Sequence, residues 1–149
     1  MISVYRYIMQ DNITYKAVEM LKKAGLRQSH QRIAILQFLM LNDIHPTAED
    51  IYNALKKDYP TMSLTTVYNT LKTLSDAGAI KMLKIERENA RFDFPKAPHS
   101  HFRCKCCGKI LDISDLPDIM QYVPKGSYHI ENVEIYFQGL CDECFNKNQ

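Results

Sequence analysis

A chain of 149 residues with 46% hydrophobic and 24% charged content is one ordinary globular domain or two small ones. Its apolar runs are too short to span a bilayer, which argues against a membrane-embedded protein, and a formal net charge of +2 says little by itself about partners. The opening segment MISVYRYIMQDNIT is broken by Arg6 and Asp11 and has no clean apolar stretch, so no signal peptide is expected. The expected compartment is the cytoplasm, where thiols stay reduced.

Charge is unevenly placed. Residues 1–90 hold twelve Lys and Arg against nine Asp and Glu, while residues 91–149 hold seven against eight. A mildly basic half followed by a mildly acidic one is compatible with nucleic-acid contact and does not require it.

In chain order, YKAVEMLKKAG (15–25) has helical apolar spacing and a glycine stop at Gly25. Ser29 is placed to cap a second helix whose apolar face includes Ile33, Leu36, Phe38 and Leu39. After NDIHP, the tetrad TAED predicts a capping box, Thr47 with Asp50, opening a helix through Ile51, Tyr52 and Leu55 that Tyr59-Pro60 ends. Ser63 then caps LTTVYNTLKTLSDAG, with Leu64, Val67, Leu71 and Leu74 on its apolar side and Gly78 at its close. The segment AIKMLKIERENARFDF alternates on both sides of a charged turn, the pattern of a β-hairpin.

Short helices followed by a hairpin outline a winged helix, a helix-turn-helix variant that places one helix in the major groove. In that reading helix 63–77 presents Thr65, Thr66, Tyr68, Asn69 and Lys72 to DNA, with Arg32 as a further contact from the preceding part of the domain. A plain helical domain with one polar face fits the same pattern. The expected organisation is α+β: a winged-helix domain at 1–94 with an N-terminal extension at 1–14, a hinge at 95–100 containing two prolines, and a small domain at 101–149. The last has short β-like runs, ILDI and VEIYF, and a helix expected near DLPDIMQYV. It carries too little apolar mass to fold without a metal or a partner.

All five cysteines follow residue 103. Cys104 and Cys107 form one C-x-x-C, Cys141 and Cys144 another, with 33 residues between them. Two such knuckles make a closed tetrahedral thiolate site, and soft thiolates select zinc for a structural role. A redox dithiol pair is the competing reading. Cys106 is the spare.

Four thiolates saturate a zinc, which leaves His99 and His101 for something else. Two residues apart on an extended segment, they project to one face. With Asp93, Asp112 and His45 they would form a nitrogen and oxygen set suited to Fe(II) or Mn(II). Spacing supports a site on the two neighbouring histidines; it does not decide whether His45, in the helical half, belongs to it. His30 and His129 have no partner pattern.

The stretches HPTAEDIYNALKK, TVYNTLKTLSDAGAIK, RFDF, HSHFRCKCCGKILD and GLCDEC, in that order, resemble the ferric uptake regulator family of bacterial metal-dependent repressors. The resemblance runs from about residue 15 to residue 144. It implies a winged-helix domain hinged to an α/β dimerisation domain, a homodimer on operator DNA, and structural zinc on Cys104, Cys107, Cys141 and Cys144. Within the family the chain is most similar to the peroxide-responsive repressors. Their ligand pattern implies a regulatory Fe(II) or Mn(II) held by His45, Asp93, His99, His101 and Asp112, with His45 and His99 as the residues that peroxide oxidises when iron is bound.

Asp112, where iron-sensing members more often carry Glu, and the absence of a histidine in VEIYFQGLC favour that subtype over an uptake repressor for iron, manganese or zinc. Cys106 departs from the family pattern. No substrate-pocket signature or spare general base suggests an enzyme. An Fe(II) metalloenzyme and a zinc-ribbon interaction module are the competitors from other classes.

Overall fold

The computed structural model describes residues 2–42, 44–85, 89–94, 99–114, 124, 126–127, 129–131 and 133–147, and the chain separates into two compact units, Met1–Pro95 and Lys96–Gln149. The expected helix near DLPDIMQYV, most of the expected hinge and the centre of the hairpin turn lie outside the described residues.

The N-terminal unit holds α1 (Ile2–Lys23), α2 (His30–Leu41), α3 (Ala48–Leu55) and α4 (Leu64–Asp76), then a hairpin of β1 (Lys81–Leu83) and β2 (Arg91–Asp93). The first helix is longer than the apolar spacing of residues 15–25 predicts. No glycine or proline interrupts residues 2–23, so the backbone has no reason to leave the helix before Gly25, which takes φ +67. None of the described helices is long and apolar enough to cross a membrane.

The caps form where the side chains direct them. Ser29 accepts from the Arg32 amide and Ser63 from the Thr66 amide. Thr47 and Asp50 close a reciprocal box, the Asp50 carboxylate taking the Thr47 amide at 2.9 Å and Thr47 Oγ1 taking the Asp50 amide at 3.1 Å. Aspartate, one methylene shorter than the usual glutamate, still reaches.

The core joins Leu21 of α1, Ile35, Leu36 and Leu39 of α2, Ile51 of α3 and Val67, Leu71 and Leu74 of α4, with Phe92 of β2. Each such side chain contributes about 1.5–3 kcal/mol by leaving water. On α2 the most buried positions are Ala34, Ile35, Leu36 and Leu39, while Ile33 and Phe38 are only half-buried. This helix is apolar nearly all round, so its spacing alone does not mark the inner face. The strands pair antiparallel, Met82 opposite Phe92 and Lys81 opposite Asp93.

The C-terminal unit is a three-stranded sheet of order β4-β3-β5, from β3 (Ser100–Cys104), β4 (Ile110–Ile113) and β5 (Tyr136–Gly139), followed by α5 (Asp142–Lys147). β3 runs antiparallel to β4 and parallel to β5. Of VEIYF, only the last two residues fall within β5. Its apolar cluster is small: Cys104, Cys141 and Cys144 with Phe102 against them. Among the described residues cysteines make up most of this cluster, the kind of packing that a bound metal reinforces.

Candidate metal centres and nucleic-acid interface

The turn from β3 to β4 carries the first knuckle. Gly108 takes φ +72, a conformation L side chains resist, and its amide donates to the Cys104 carbonyl at 3.0 Å. The second knuckle leads into α5, where the amides of Cys144 and Phe145 both donate to the Cys141 carbonyl. Pairing of Cys104 with Gly139 on adjacent strands brings the two knuckles together.

One sulfur from each of Cys104, Cys107, Cys141 and Cys144 lies within 4.8 Å of the others, a group able to hold a metal ion. Three of these residues are buried and Cys107 is exposed. Cys106 is exposed and outside the group.

The thiols are electrostatically unequal. Backbone amide donors, first at Cys107 and then at Cys141, hold the Cys104 thiol down at about 6. Hydrogen bonding with the Cys141 sulfur, followed by burial, pushes the Cys144 thiol well up. Four sulfurs so close cannot all carry negative charge unless a cation lies among them. A closed thiolate set of this kind fits zinc.

The second constellation in this unit lies at the start of β3. His99 and His101 bring their Nε2 atoms to 3.1 Å, with ring planes at 71°. Asp112, opposite His101 in the β3–β4 register, places Oδ1 at 3.5 Å from His99 Nε2 and 3.7 Å from His101 Nε2. Two imidazoles and one carboxylate thus converge on one point, the nitrogen and oxygen chemistry that suits Fe(II) or Mn(II).

The N-terminal unit carries a pair of the same chemistry. His45 Nε2 lies 3.7 Å from Asp93 Oδ1, and both side chains are only 2% exposed. His45 has φ +46, among the described residues a left-handed conformation shared only with glycines. That backbone is strained for a histidine preceding a proline. It is held from β2: Arg91 donates to the His45 carbonyl at 3.4 Å, and the Phe92 amide donates to the Pro46 carbonyl at 3.0 Å. Sequence reasoning missed Arg91, which also lies 3.8 Å from Asp50 of the capping box. A lone arginine in a hairpin gives no pattern that would mark it.

On α4, Thr65, Tyr68, Asn69 and Lys72 fall at helical spacing on one exposed stripe, opposite buried Val67, Leu71 and Leu74. Thr66 is less available than the sequence suggests, because its hydroxyl is engaged with Ser63 Oγ at 2.9 Å in the cap. Lys72 is paired with Asp76 at 2.6 Å, and Arg32 of α2 donates to the Arg27 carbonyl at 2.7 Å. His30 and His129 are exposed and belong to neither metal group.

A capped helical unit ending in a two-stranded wing, joined in one chain to a small sheet with a thiolate cluster and a histidine–aspartate cluster, defines a metal-binding winged-helix regulator. The profile of the ferric uptake regulator family matches residues 23–138, and the chain belongs to that family. The peroxide operon regulator of Bacillus subtilis is 40% identical over 139 residues, spanning 89% of this chain and 93% of that protein. The peroxide-responsive repressor PerR of Staphylococcus saprophyticus is 38% identical over 144 residues, 93% of each chain. Among solved structures, the Helicobacter pylori ferric uptake regulator superposes with a TM-score of 0.70 at 26% identity, covering 91% of this chain and 93% of its own. These relatives are regulators, and the chain stands with them rather than with enzymes.

Proposed function

We propose that the chain is a peroxide-responsive repressor that binds operator DNA as a homodimer. Structural zinc sits on Cys104, Cys107, Cys141 and Cys144, and regulatory Fe(II) or Mn(II) on His45, Asp93, His99, His101 and Asp112. The observation that carries this reading is the convergence of His99, His101 and Asp112 beside, and separate from, the four-cysteine group. His45 and Asp93 supply two further donors, already 3.7 Å apart. Asp93 lies only six positions before His99, a tether of about 20 Å when fully extended, so both donor groups are within reach of one ion.

Ligands drawn from both units make metal occupancy a constraint on how the units are held. In a dimer that constraint sets the spacing of two α4 helices against half-sites about one helical turn apart. Exposed Leu111, Phe137, Leu140 and Phe145 of the C-terminal unit supply apolar surface for a second copy. Bound iron supplies one-electron chemistry toward peroxide that manganese does not supply as readily. His45 and His99 are the imidazoles that take up oxygen, and an oxidised imidazole no longer donates as it did. The exposed stripe of Thr65, Tyr68, Asn69 and Lys72 provides the DNA contacts, with Thr66 and Arg32 as flanking ones.

The similarity to proteins named for peroxide favours this subtype, as does aspartate at position 112. A metal-uptake repressor on the same ligands is the alternative. The two separate in operator binding measured anaerobically with Fe(II) or Mn(II), before and after peroxide, on a duplex selected from a random pool. Loss of binding in the iron sample alone supports peroxide sensing. Retained binding in both supports uptake control.

A further inference from the structure

A cavity of about 740 Å³ opens in the N-terminal unit between α1 and the end of α2, within the range of small-molecule sites. Its apolar lining includes Met20, Met40 and Phe94, which also pack on the hydrophobic core, and the exposed Leu41. Gln37 donates to Thr14 Oγ1 at 2.7 Å, tying the two helices together beside it. The cavity is bounded mainly by these two helices, with Phe94, the residue after β2, completing its lining.

Charge at the cavity is one-sided. Lys16, Glu19 and Lys23 all line it, but Lys22 takes the Glu19 carboxylate at 2.8 Å. Lys16 and Lys23, both exposed, have no ion-pair partner among the described residues. They stand seven positions apart on one helix, about 10.5 Å along its axis. An apolar pocket under unneutralised ammonium groups favours a molecule with an apolar body and one anionic end.

We propose that this cavity binds an amphipathic monocarboxylate, and that its occupancy is linked to the metal residues of the same unit. The link is covalent and short. Phe94 directly follows Asp93, and Leu41 lies four residues before His45. A ligand that shifts either wall acts on a donor of the regulatory site, and the metal must alter carboxylate affinity by the same factor in return. The linkage, though not the binding, rests on the assignment of His45 and Asp93 as ligands.

Calorimetry on the zinc-loaded full-length chain tests this with decanoate, decyltrimethylammonium and decanol, each below its micelle concentration. Saturable one-site binding of decanoate is expected, with no binding of the cation. At least tenfold weaker decanoate binding is expected in Lys16→Glu/Lys23→Glu and in Leu41→Glu, all substitutions at exposed positions. No saturable heat, equal binding of anion and cation, or unchanged affinity in both variants would overturn the site. Saturating decanoate should shift Mn(II) affinity at least threefold in the unsubstituted chain and not in the double-lysine variant. Bound decanoate with unchanged Mn(II) affinity overturns the linkage. Failure of Mn(II) to bind at all counts against the ligand assignment, and the decanoate titration still decides the pocket.

Discussion

Arg91 Nη1 donates to the backbone carbonyl of His45 at 3.4 Å, so a side chain from the wing holds a histidine at φ +46. The loop otherwise has a preceding-proline restriction to satisfy and a bulky side chain in the left-handed region, a cost of about 1–3 kcal/mol. Arg91 is a positioning residue: it touches the backbone of His45 and leaves the imidazole to face Asp93.

Arg91→Ala is expected to weaken Mn(II) binding about fivefold, the effect of one hydrogen bond of about 1 kcal/mol. Zinc content should stay unchanged. Arg91→Lys should recover part of the loss, since an ammonium can still donate to the carbonyl but cannot do so from a rigid fork. Titration of Mn(II) into the three proteins, with zinc measured in parallel, separates this role from general damage to the fold.

His101→Ala removes a buried member of the group whose ring nitrogens meet at 3.1 Å. Mn(II) affinity should fall at least a hundredfold while zinc stays at one per chain. Loss of zinc in this variant would mean that the two groups do not act as separate sites.

Cys104→Ser and Cys106→Ser should part company. Cys104 is buried, and the Cys141 amide donates to its sulfur at 3.4 Å; Cys106 is exposed and outside the four-sulfur group. The first substitution should abolish zinc binding and melt the C-terminal unit, in which Cys104, Cys141 and Cys144 form a buried cluster among the described residues. The second should retain zinc and thermal stability. Elemental analysis together with thermal melting reads both.

On α4, Tyr68→Ala and Asn69→Ala should each weaken binding to the selected operator by about 1–3 kcal/mol, roughly five- to 160-fold, without changing the melting temperature. Lys72→Ala should cost less, because Lys72 must first leave Asp76. If it reaches a phosphate, its removal lowers the salt dependence of binding by about one ion.

Much of this was legible in the residues. The capping serines, the Thr47–Asp50 box, the stops at Gly25 and Gly78 and the alternation of the hairpin are local signals, and local hydrogen bonds express them. The pairs Cys104/Cys107 and Cys141/Cys144 were equally plain, because thiolate spacing is itself the geometry of a knuckle. His99 and His101 could be placed together by strand alternation. Asp112 joins them only through β3–β4 register, which depends on the length of the knuckle turn. His45 beside Asp93 depends on how the loop after α2 lies on the wing, and the roles of Arg91 and of φ at His45 arise from that same packing. The N-terminal reach of α1 was hidden because its helical state rests on the absence of breakers, whereas apolar spacing marks only the buried turns near Ala17 and Leu21.

Peptide mass spectrometry reads the fate of the two histidines: anaerobic Fe(II) or Mn(II) protein, bound to the selected operator, is given peroxide and then digested. One added oxygen atom is expected on the peptides carrying His45 and His99 in the iron sample, together with release of DNA. The manganese sample should show neither. Release of DNA with both histidines unmodified, or equal modification with both metals, would contradict peroxide sensing through these two histidines.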